Sequence, residues 1–238
     1  MNIALLGYGK MGQAIEAIAV QRGHNIVCKV SIENLEDRTI TNIRKADVVI
    51  EFTGPDSAFD NIKLSIDAGV PVVSGSTGWL NRFEEIKQYA ADKEGALLYA
   101  SNFSVGVNIF FALNEKLAEL MAGHPEYEVD MKEIHHTQKL DAPSGTAITL
   151  AEQIINKLTR KKRWVNQAAD HKEELSIISE RRDPAPGTHS IRYHSAIDDI
   201  EIMHTAHNRK GFATGAVLAA EFLRGKKGIF TMNEVLGI

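Results

Sequence analysis

From residue 1 to about 100, short β-branched or apolar runs alternate with longer segments whose apolar positions recur at helical spacing. Residues 2–6, 25–30, 47–52, 70–74 and 96–99 read as strands, and 11–21, 56–68 and 79–91 read as helices. That order is the pattern of a parallel sheet with crossover helices, so this half is expected to be a doubly wound α/β domain. Beyond a further helical stretch at 107–121 the period drops to two: Tyr127, Val129 and Met131 alternate with Glu128, Asp130 and Lys132. The alternation returns at Ile191 and Tyr193 and at Ile200 and Ile202, without long intervening helices, which predicts a mixed or antiparallel sheet in a second, α+β domain. A helix at 144–158 is expected to cover one face of that sheet with Ile148, Leu150, Ala151, Ile154 and Ile155. Nothing obvious covers the other face, and an uncovered face predicts self-association. The charged stretch 160–174 reads as a solvated loop with a frayed helix and no function. A last helix at 214–223, with Ala216, Ala219 and Ala220 on one side, and the apolar tail of Val235, Leu236 and Ile238 are expected to pack back on the first domain. The chain is thus divided into 1–104 with 211–238, and an insertion at 105–210, with a ligand expected in the cleft between the two.

Composition removes several classes of function. The 238 residues, 44% apolar and 24% charged, suffice for a buried core and exclude a disordered or fibrous protein. No apolar run approaches the ~20 residues that cross a bilayer, so no membrane partner is expected. A formal net charge of −4 with both signs mixed gives a nucleic-acid partner no electrostatic support. Cys28 is the single cysteine, and the start runs into the fold without a basic, apolar, cleavable leader, so a cytoplasmic location is expected.

Candidate chemistry begins at Gly7, Gly9 and Gly12, which fit G-x-G-x-x-G between the first strand and the first helix. Gly7 would permit the tight turn, Gly9 the approach of a pyrophosphate, and Gly12 close packing of helix on strand, while the helix N-terminus offers N–H groups to the anion. The expected domain is therefore Rossmann-type and the expected cofactor NADH or NADPH. At the end of the second strand Glu33 would accept the ribose hydroxyls of NADH, whereas Ser31 with Lys29 would tolerate the phosphate of NADPH; both remain open. Gly75, Ser76 and Thr77, and Ala100, Ser101, Asn102 and Phe103, fall where strands four and five end, the edge at which such sheets bind ligands. The densest polar run, from His135 and His136 through Lys139, Asp141 and Ser144 to Gly145 and Thr146, sets proton donors beside a helix start suited to a carboxylate. No metal is expected there, because neighbouring His135 and His136 point to opposite faces of an extended chain and no acid or cysteine completes an obvious spacing. His189, His194, His204 and His207 have no evident partner and read as structural or surface residues.

Together, the stretch Gly7, Tyr8, Gly9, Lys10, Met11 and Gly12, then Glu51-Phe52-Thr53, Gly75-Ser76-Thr77-Gly78, Ser101-Asn102-Phe103-Ser104-Val105-Gly106 and the run from His135 to Thr146 resemble the 4-hydroxy-tetrahydrodipicolinate (dihydrodipicolinate) reductase family, in order across nearly the whole chain. The resemblance implies a hydride passed from NADH or NADPH to an unsaturated ring dicarboxylate in lysine and diaminopimelate biosynthesis. It implies His135 as general acid/base, Lys139 as proton donor, His136 as a substrate contact, and Gly145 with Thr146 as the amide cradle of a substrate carboxylate. The residues from Gly7 to Gly12, Ser31, Gly75 to Thr77 and Ala100 to Phe103 would be the cofactor contacts, and the second domain would build a homotetramer through its sheet. Two departures stand out: many members carry threonine where this chain has Ser76, and an acidic residue near Ser31 or Ile32. The stretch 160–182 matches little of the family and receives no role. Rivals are another two-domain nicotinamide enzyme, or a dinucleotide sensor without catalysis. The segments 103–107 and 209–212 are expected to be mobile hinges.

Overall fold

The computed structural model describes residues 1–208 and 210–238. The chain runs through β1 (Asn2–Leu6), α1 (Lys10–Gln21), β2 (Asn25–Val30), α2 (Ile40–Ile43), β3 (Val48–Glu51), α3 (Pro55–Asp67), β4 (Val72–Ser74), α4 (Phe83–Asp92) and β5 (Ala96–Tyr99). There follow α5 (Val105–Met121), β6 (Glu128–His135), α6 (Gly145–Lys157), β7 (Arg163–Val165), β8 (Glu174–Arg181), β9 (Gly187–His194) and β10 (Asp199–Ala206), then α7 (Lys210–Leu223), β11 (Gly228–Phe230) and α8 (Met232–Leu236). Two units result: Met1–Val105 joined by Lys210–Ile238, and the stretch between them from Gly106. Of the expected return hinge at 209–212, residue 209 lies outside the described residues and α7 begins at Lys210.

The first unit holds a six-stranded sheet in the order β11-β5-β4-β3-β1-β2, every pair parallel. Successive residues of a strand point to opposite faces, and here both faces are buried. Ile3 and Leu5 of β1 join the core beneath α1, α7 and α8, while Ala4 and Leu6 join the core beneath α2, α3 and α4. That is why these strands read as continuous apolar runs. Val235 and Leu236 pack on the first of these cores, whereas Ile238 is exposed. The expected helix at 79–91 starts later: a short 3-10 turn at Leu80–Arg82 precedes α4, and the Trp79 indole donates to the Ser76 carbonyl at 2.8 Å.

The second unit is a mixed sheet in the order β10-β9-β6-β8-β7, in which β6 lies antiparallel to β9 and parallel to β8. One face carries Val129, Met131, Leu175, Ile177, Ile191 and Tyr193 under α6 and the α5 residues Phe110, Ala118 and Met121. Ile148, expected in that core, is outside it. Register puts Asp130, Lys132, Arg192, Ile178 and Met203 on the other face, where Met203 is 65% exposed and Lys132 pairs with Glu180 at 2.6 Å.

The stretch 160–174 is not a loop with a frayed helix. It contains β7, paired with β8, and a buried Lys161 whose ammonium donates to Glu128 Oε2 and the carbonyls of Lys172 and Glu174, each at 2.9 Å. β8 itself, a strand between β6 and β7, has no counterpart in the sequence reading. Its buried positions Glu174, Leu175, Ser176 and Ile177 run consecutively and include polar residues, so no two-residue apolar alternation marks it.

Candidate active site

In the first unit the nucleotide-type loop follows β1. Gly7 takes φ +96°, and a Cβ there would lie 2.0 Å from the Phe52 carbonyl oxygen, so only glycine lets the turn approach the end of β3. A Cβ on Gly12 would lie 2.3 Å from the Gly7 carbonyl oxygen, which makes it the contact between α1 and the turn. Gly9, the N-cap of α1, carries no side-chain cap and has open space at its Cβ position. The loop thus offers an uncapped helix start beside free volume, which fits a pyrophosphate. A cavity of about 760 Å³ opens there, walled by Gly7, Tyr8, Gly9, Ser31, Arg38 and Thr53, with Glu33 also on it.

The remaining predicted contacts divide. Lys10 is exposed and Met11 packs toward the core, and neither lines the cavity. The Lys29 ammonium is turned to Glu16 at 3.3 Å and also lies outside it. Ser31 donates its hydroxyl to Asn34 at 2.9 Å. Ser76 is buried and donates to Glu51 at 2.8 Å, so its hydroxyl is turned into the protein while Thr77 is exposed. The Phe103 side chain is buried beside Phe52, with ring centroids 5.5 Å apart, and so contributes to the core; Ala100 and Asn102 are half-buried and Ser101 is exposed at the end of β5. Beneath these loops sits a fully buried carboxylate without a sequence-assigned role. Glu51 accepts from the Ser74 hydroxyl at 2.6 Å, Ser76, the Thr53 amide at 3.0 Å and the Thr53 hydroxyl, joining the ends of β3 and β4.

In the second unit the polar run forms one network. His135 ends β6, is 8% exposed, and lies T-shaped against His189 with ring centroids 5.1 Å apart. Glu133, two residues earlier and therefore on the same face, is fully buried directly opposite His189. Its carboxylate accepts from the Ser144 amide with both oxygens at 3.1 Å and from the Ser179 hydroxyl at 2.7 Å, and the Arg181 guanidinium lies 3.3 Å away. Burial pushes the Glu133 carboxyl up, but the neighbouring His189 imidazole and the hydrogen bonds from Ser144 and Ser179 outweigh it and hold the group well below the usual carboxylate range. Burial, aided by the charge of His189, lowers His135 to about 4, against an upward pull from Glu133, so the imidazole is neutral at neutral pH.

Lys139 donates to both oxygens of Asp141 at 2.7 and 2.8 Å and is largely shielded from water, while Arg181 donates to the carbonyls of Lys139 and Asp141. Ser144 caps α6, its hydroxyl accepting from the Ala147 amide at 3.2 Å, so α6 starts at Gly145 with open space at that residue's Cβ position. His136 is half-buried, and its carbonyl accepts from the Lys139 amide at 3.1 Å. Sequence reasoning missed Glu133, His189 and Arg181. His189 is no isolated histidine: it is buried and its Nε2 lies 3.1 Å from Ser144 Oγ. Arg181 falls in the stretch that had been given no role. Glu133 stands two residues before His135, the one signal by which an alternating strand could have put it on the same face; the partners on β8 and β9 emerge only from strand register.

Glu133, His135 and His189 bring one donor atom each within 4.8 Å of one another, the acid and second histidine that the sequence had not offered for a metal. The Glu133 oxygens already accept from several donors beside the Arg181 cation, an environment that opposes a further cation. The cluster therefore reads as a proton-bearing network.

Residues 1–103 match the model for the N-terminal domain of dihydrodipicolinate reductase and residues 106–236 the model for its C-terminal domain. The chain belongs to the dihydrodipicolinate reductase family. It is 51% identical over 236 residues to a 4-hydroxy-tetrahydrodipicolinate reductase of Christiangramia forsetii, covering 99% of this chain and 98% of that one. It is 35% identical to one of Methanosarcina barkeri, covering 87% of this chain and 78% of the relative. In fold it is similar to a solved dihydrodipicolinate reductase from Paenisporosarcina sp. TG-14, described with dipicolinate bound, at a TM-score of 0.78, 24% identity and 98% coverage of each chain. Membership in this reductase family agrees with the nucleotide-type loop of the first unit, and no helix among the described residues is long and apolar enough to cross a membrane.

Proposed function

We propose that the chain reduces 4-hydroxy-tetrahydrodipicolinate, with loss of water, to tetrahydrodipicolinate in diaminopimelate and lysine biosynthesis. The observation that carries this reading is the second unit's network, in which Glu133 accepts from the Ser144 cap of α6 and faces the buried His135 at 3.5 Å, while Arg181, 3.3 Å from Glu133, also holds the carbonyl of Lys139. A bound NADH or NADPH supplies the hydride. Gly9 would let its pyrophosphate approach the start of α1, on a turn that Gly7 and Gly12 make possible, and Tyr8, Ser31, Gly75, Thr77, Ala100, Ser101 and Asn102 would line its path; Ser76 and Phe103 would act from beneath. Ser31 and the Arg38 guanidinium in the cavity wall support NADPH, and Glu33 on the same cavity supports NADH. Rates with each nucleotide decide between them.

The chain's own residues handle the dicarboxylate and the proton. The start of α6 at Gly145 and Thr146 takes one carboxylate, His136 contacts the ring substrate, and Lys139 offsets developing negative charge. Neutral His135 becomes the better proton acceptor once a dianion lies beside it; it takes a proton from solvent and gives it to the ring as the hydride adds, which balances the one proton that the reduction consumes. The exposed face of the second sheet supports a homotetramer, and the location proposed is cytoplasmic.

The test is the fall in nicotinamide absorbance when the purified protein meets freshly generated 4-hydroxy-tetrahydrodipicolinate. Oxidation by the wild type and its near loss in His135→Ala is the expected result. Nucleotide binding without oxidation of either cofactor would refute the reading and favour the sensor.

A further inference from the structure

The residues to which the resemblance assigns chemistry converge on one to which it assigns none. Glu133 is fully buried, and its two oxygens face different parts of the site. Oε1 accepts from Ser179 at 2.7 Å and lies 3.3 Å from Arg181, which also holds the carbonyls of Lys139 and Asp141. Oε2 lies 3.5 Å from His135 Nδ1 and 3.6 Å from His189 Nε2. Both oxygens accept from the amide of Ser144, the cap of α6.

His135 shows what this arrangement is for. Its Nδ1 is buried with no hydrogen-bond partner, and the acceptor facing it is Glu133 Oε2, just beyond bonding distance. Its other nitrogen, Nε2, faces Gly187, where a Cβ would lie only 3.1 Å away, so glycine leaves room at that nitrogen. An imidazole with Nδ1–H toward a carboxylate presents an unprotonated Nε2 as acceptor, and catalytic hydrogen bonds that are long without substrate shorten in the productive complex. The alternative tautomer would set a bare Nδ1 lone pair against a buried carboxylate, two acceptors facing each other.

We propose that Glu133 is the positioning residue of this site: it holds His135 in the Nδ1–H tautomer with Nε2 turned to the substrate, and through the Ser144 amide it keeps the start of α6 in register with that imidazole. This rests on the function proposed above only for His135 being the proton carrier; the tautomer itself does not depend on the reaction. The charged and titratable groups facing His135 are Glu133 on its own strand, His189 on β9, Lys139 in the following loop and Arg181 on β8. Glu133 is the only anion among these four and the only one raising the affinity of His135 for a proton.

The first experiment is ¹⁵N NMR of the histidine ring nitrogens in the wild-type chain at neutral pH, with His135 assigned by its loss in His135→Gln. The expected spectrum shows Nδ1 protonated and Nε2 not; an Nε2–H tautomer overturns the proposal without any variant having to fold. The second is Glu133→Gln, which keeps the shape but places an amide where both oxygens accept. Its His135 should populate both tautomers, kcat should fall by about 10²-fold or more, the order that positioned acid–base catalysis contributes, and the acid limb of kcat/KM should move to lower pH. Nucleotide affinity, read on the first unit, should be unchanged. An unaltered tautomer and pH profile with lower activity would assign Glu133 a merely structural part and overturn the proposal. A wild type inactive on the substrate yet showing the Nδ1–H tautomer would refute the proposed reaction and leave the positioning of His135 standing.

Discussion

Gly7 and Gly9 stand two residues apart in one motif, yet the structure assigns them different work, and replacing each with alanine separates the two. At Gly7 the φ of +96° is costly for any L side chain, and the added Cβ would sit 2.0 Å from the Phe52 carbonyl, a backbone atom that cannot swing away. The conformational term is about 1–3 kcal/mol, the steric term about 1–3 kcal/mol, and together they destabilise the first unit by about 2–6 kcal/mol, a large part of a domain's ordinary 5–15 kcal/mol or so. Gly9 has φ −85° and nothing within 4 Å of its Cβ position, so alanine costs only the few tenths to ~1 kcal/mol by which it is the poorer N-cap. The added methyl instead occupies the space where a pyrophosphate approaches. Urea unfolding of each variant, followed by a first-unit probe such as Trp79, is to be paired with NADPH and NADH titration by nucleotide fluorescence. Gly7→Ala should lose stability and nucleotide binding together, whereas Gly9→Ala should unfold near the wild-type midpoint and lose affinity by tenfold or more. A Gly9→Ala protein that binds nucleotide normally would refute the placement of the pyrophosphate at the start of α1. One that unfolds as readily as Gly7→Ala would refute the division of roles.

The His135 ring should titrate near 4 rather than near the ordinary 6.5, and its midpoint should rise when a pyridine dicarboxylate is added; an NMR midpoint at or above 6.5 in the free protein contradicts the burial argument. Because the folded value is the lower one, the unfolded chain takes up the proton first, so stability falls as pH drops from about 6.5 to 4 and the effect is complete below that. The loss is about 3 kcal/mol, and His135→Gln should lose that much less between pH 7 and 4 in denaturant unfolding. Glu133, held low, adds a loss in the same direction as pH falls below the usual carboxylate range. Lys139→Ala should cut turnover far more than nucleotide affinity, and equal losses in both would remove Lys139 from the chemical site. Lys161→Ala removes a buried donor shared by two carbonyls and the partly exposed Glu128 carboxylate, and should lower second-unit stability by about 2–4 kcal/mol in urea melts; a change under ~0.5 kcal/mol would show that water replaces the ammonium.

What the sequence determined by itself is what local physics writes locally. The inner strands of the first sheet, β1, β3, β4 and β5, are mostly apolar runs because both of their faces are covered, and the glycine fingerprint stands between strand and helix because a tight turn at Gly7 and an approach at Gly9 are needs of the backbone there. Ser144 announces α6 as a cap would, and the run from His135 to Thr146 is contiguous, so its chemistry and the family resemblance were legible together. Tertiary structure alone decided the rest. β7 is three residues long behind the charged run Arg160, Lys161 and Lys162, too short to show a period, and β8 is buried at four successive positions whatever their polarity. Lys161 looks like part of a solvated charge run until three oxygens converge on it. Glu133 and His189 are 56 positions apart, and Arg181 lies 48 positions from Glu133. Pairing across β6, β8 and β9 brings them together. Strand register is fixed by burying one face of a sheet, a cooperative property of several segments at once, and no single segment carries the record of which residues it will face.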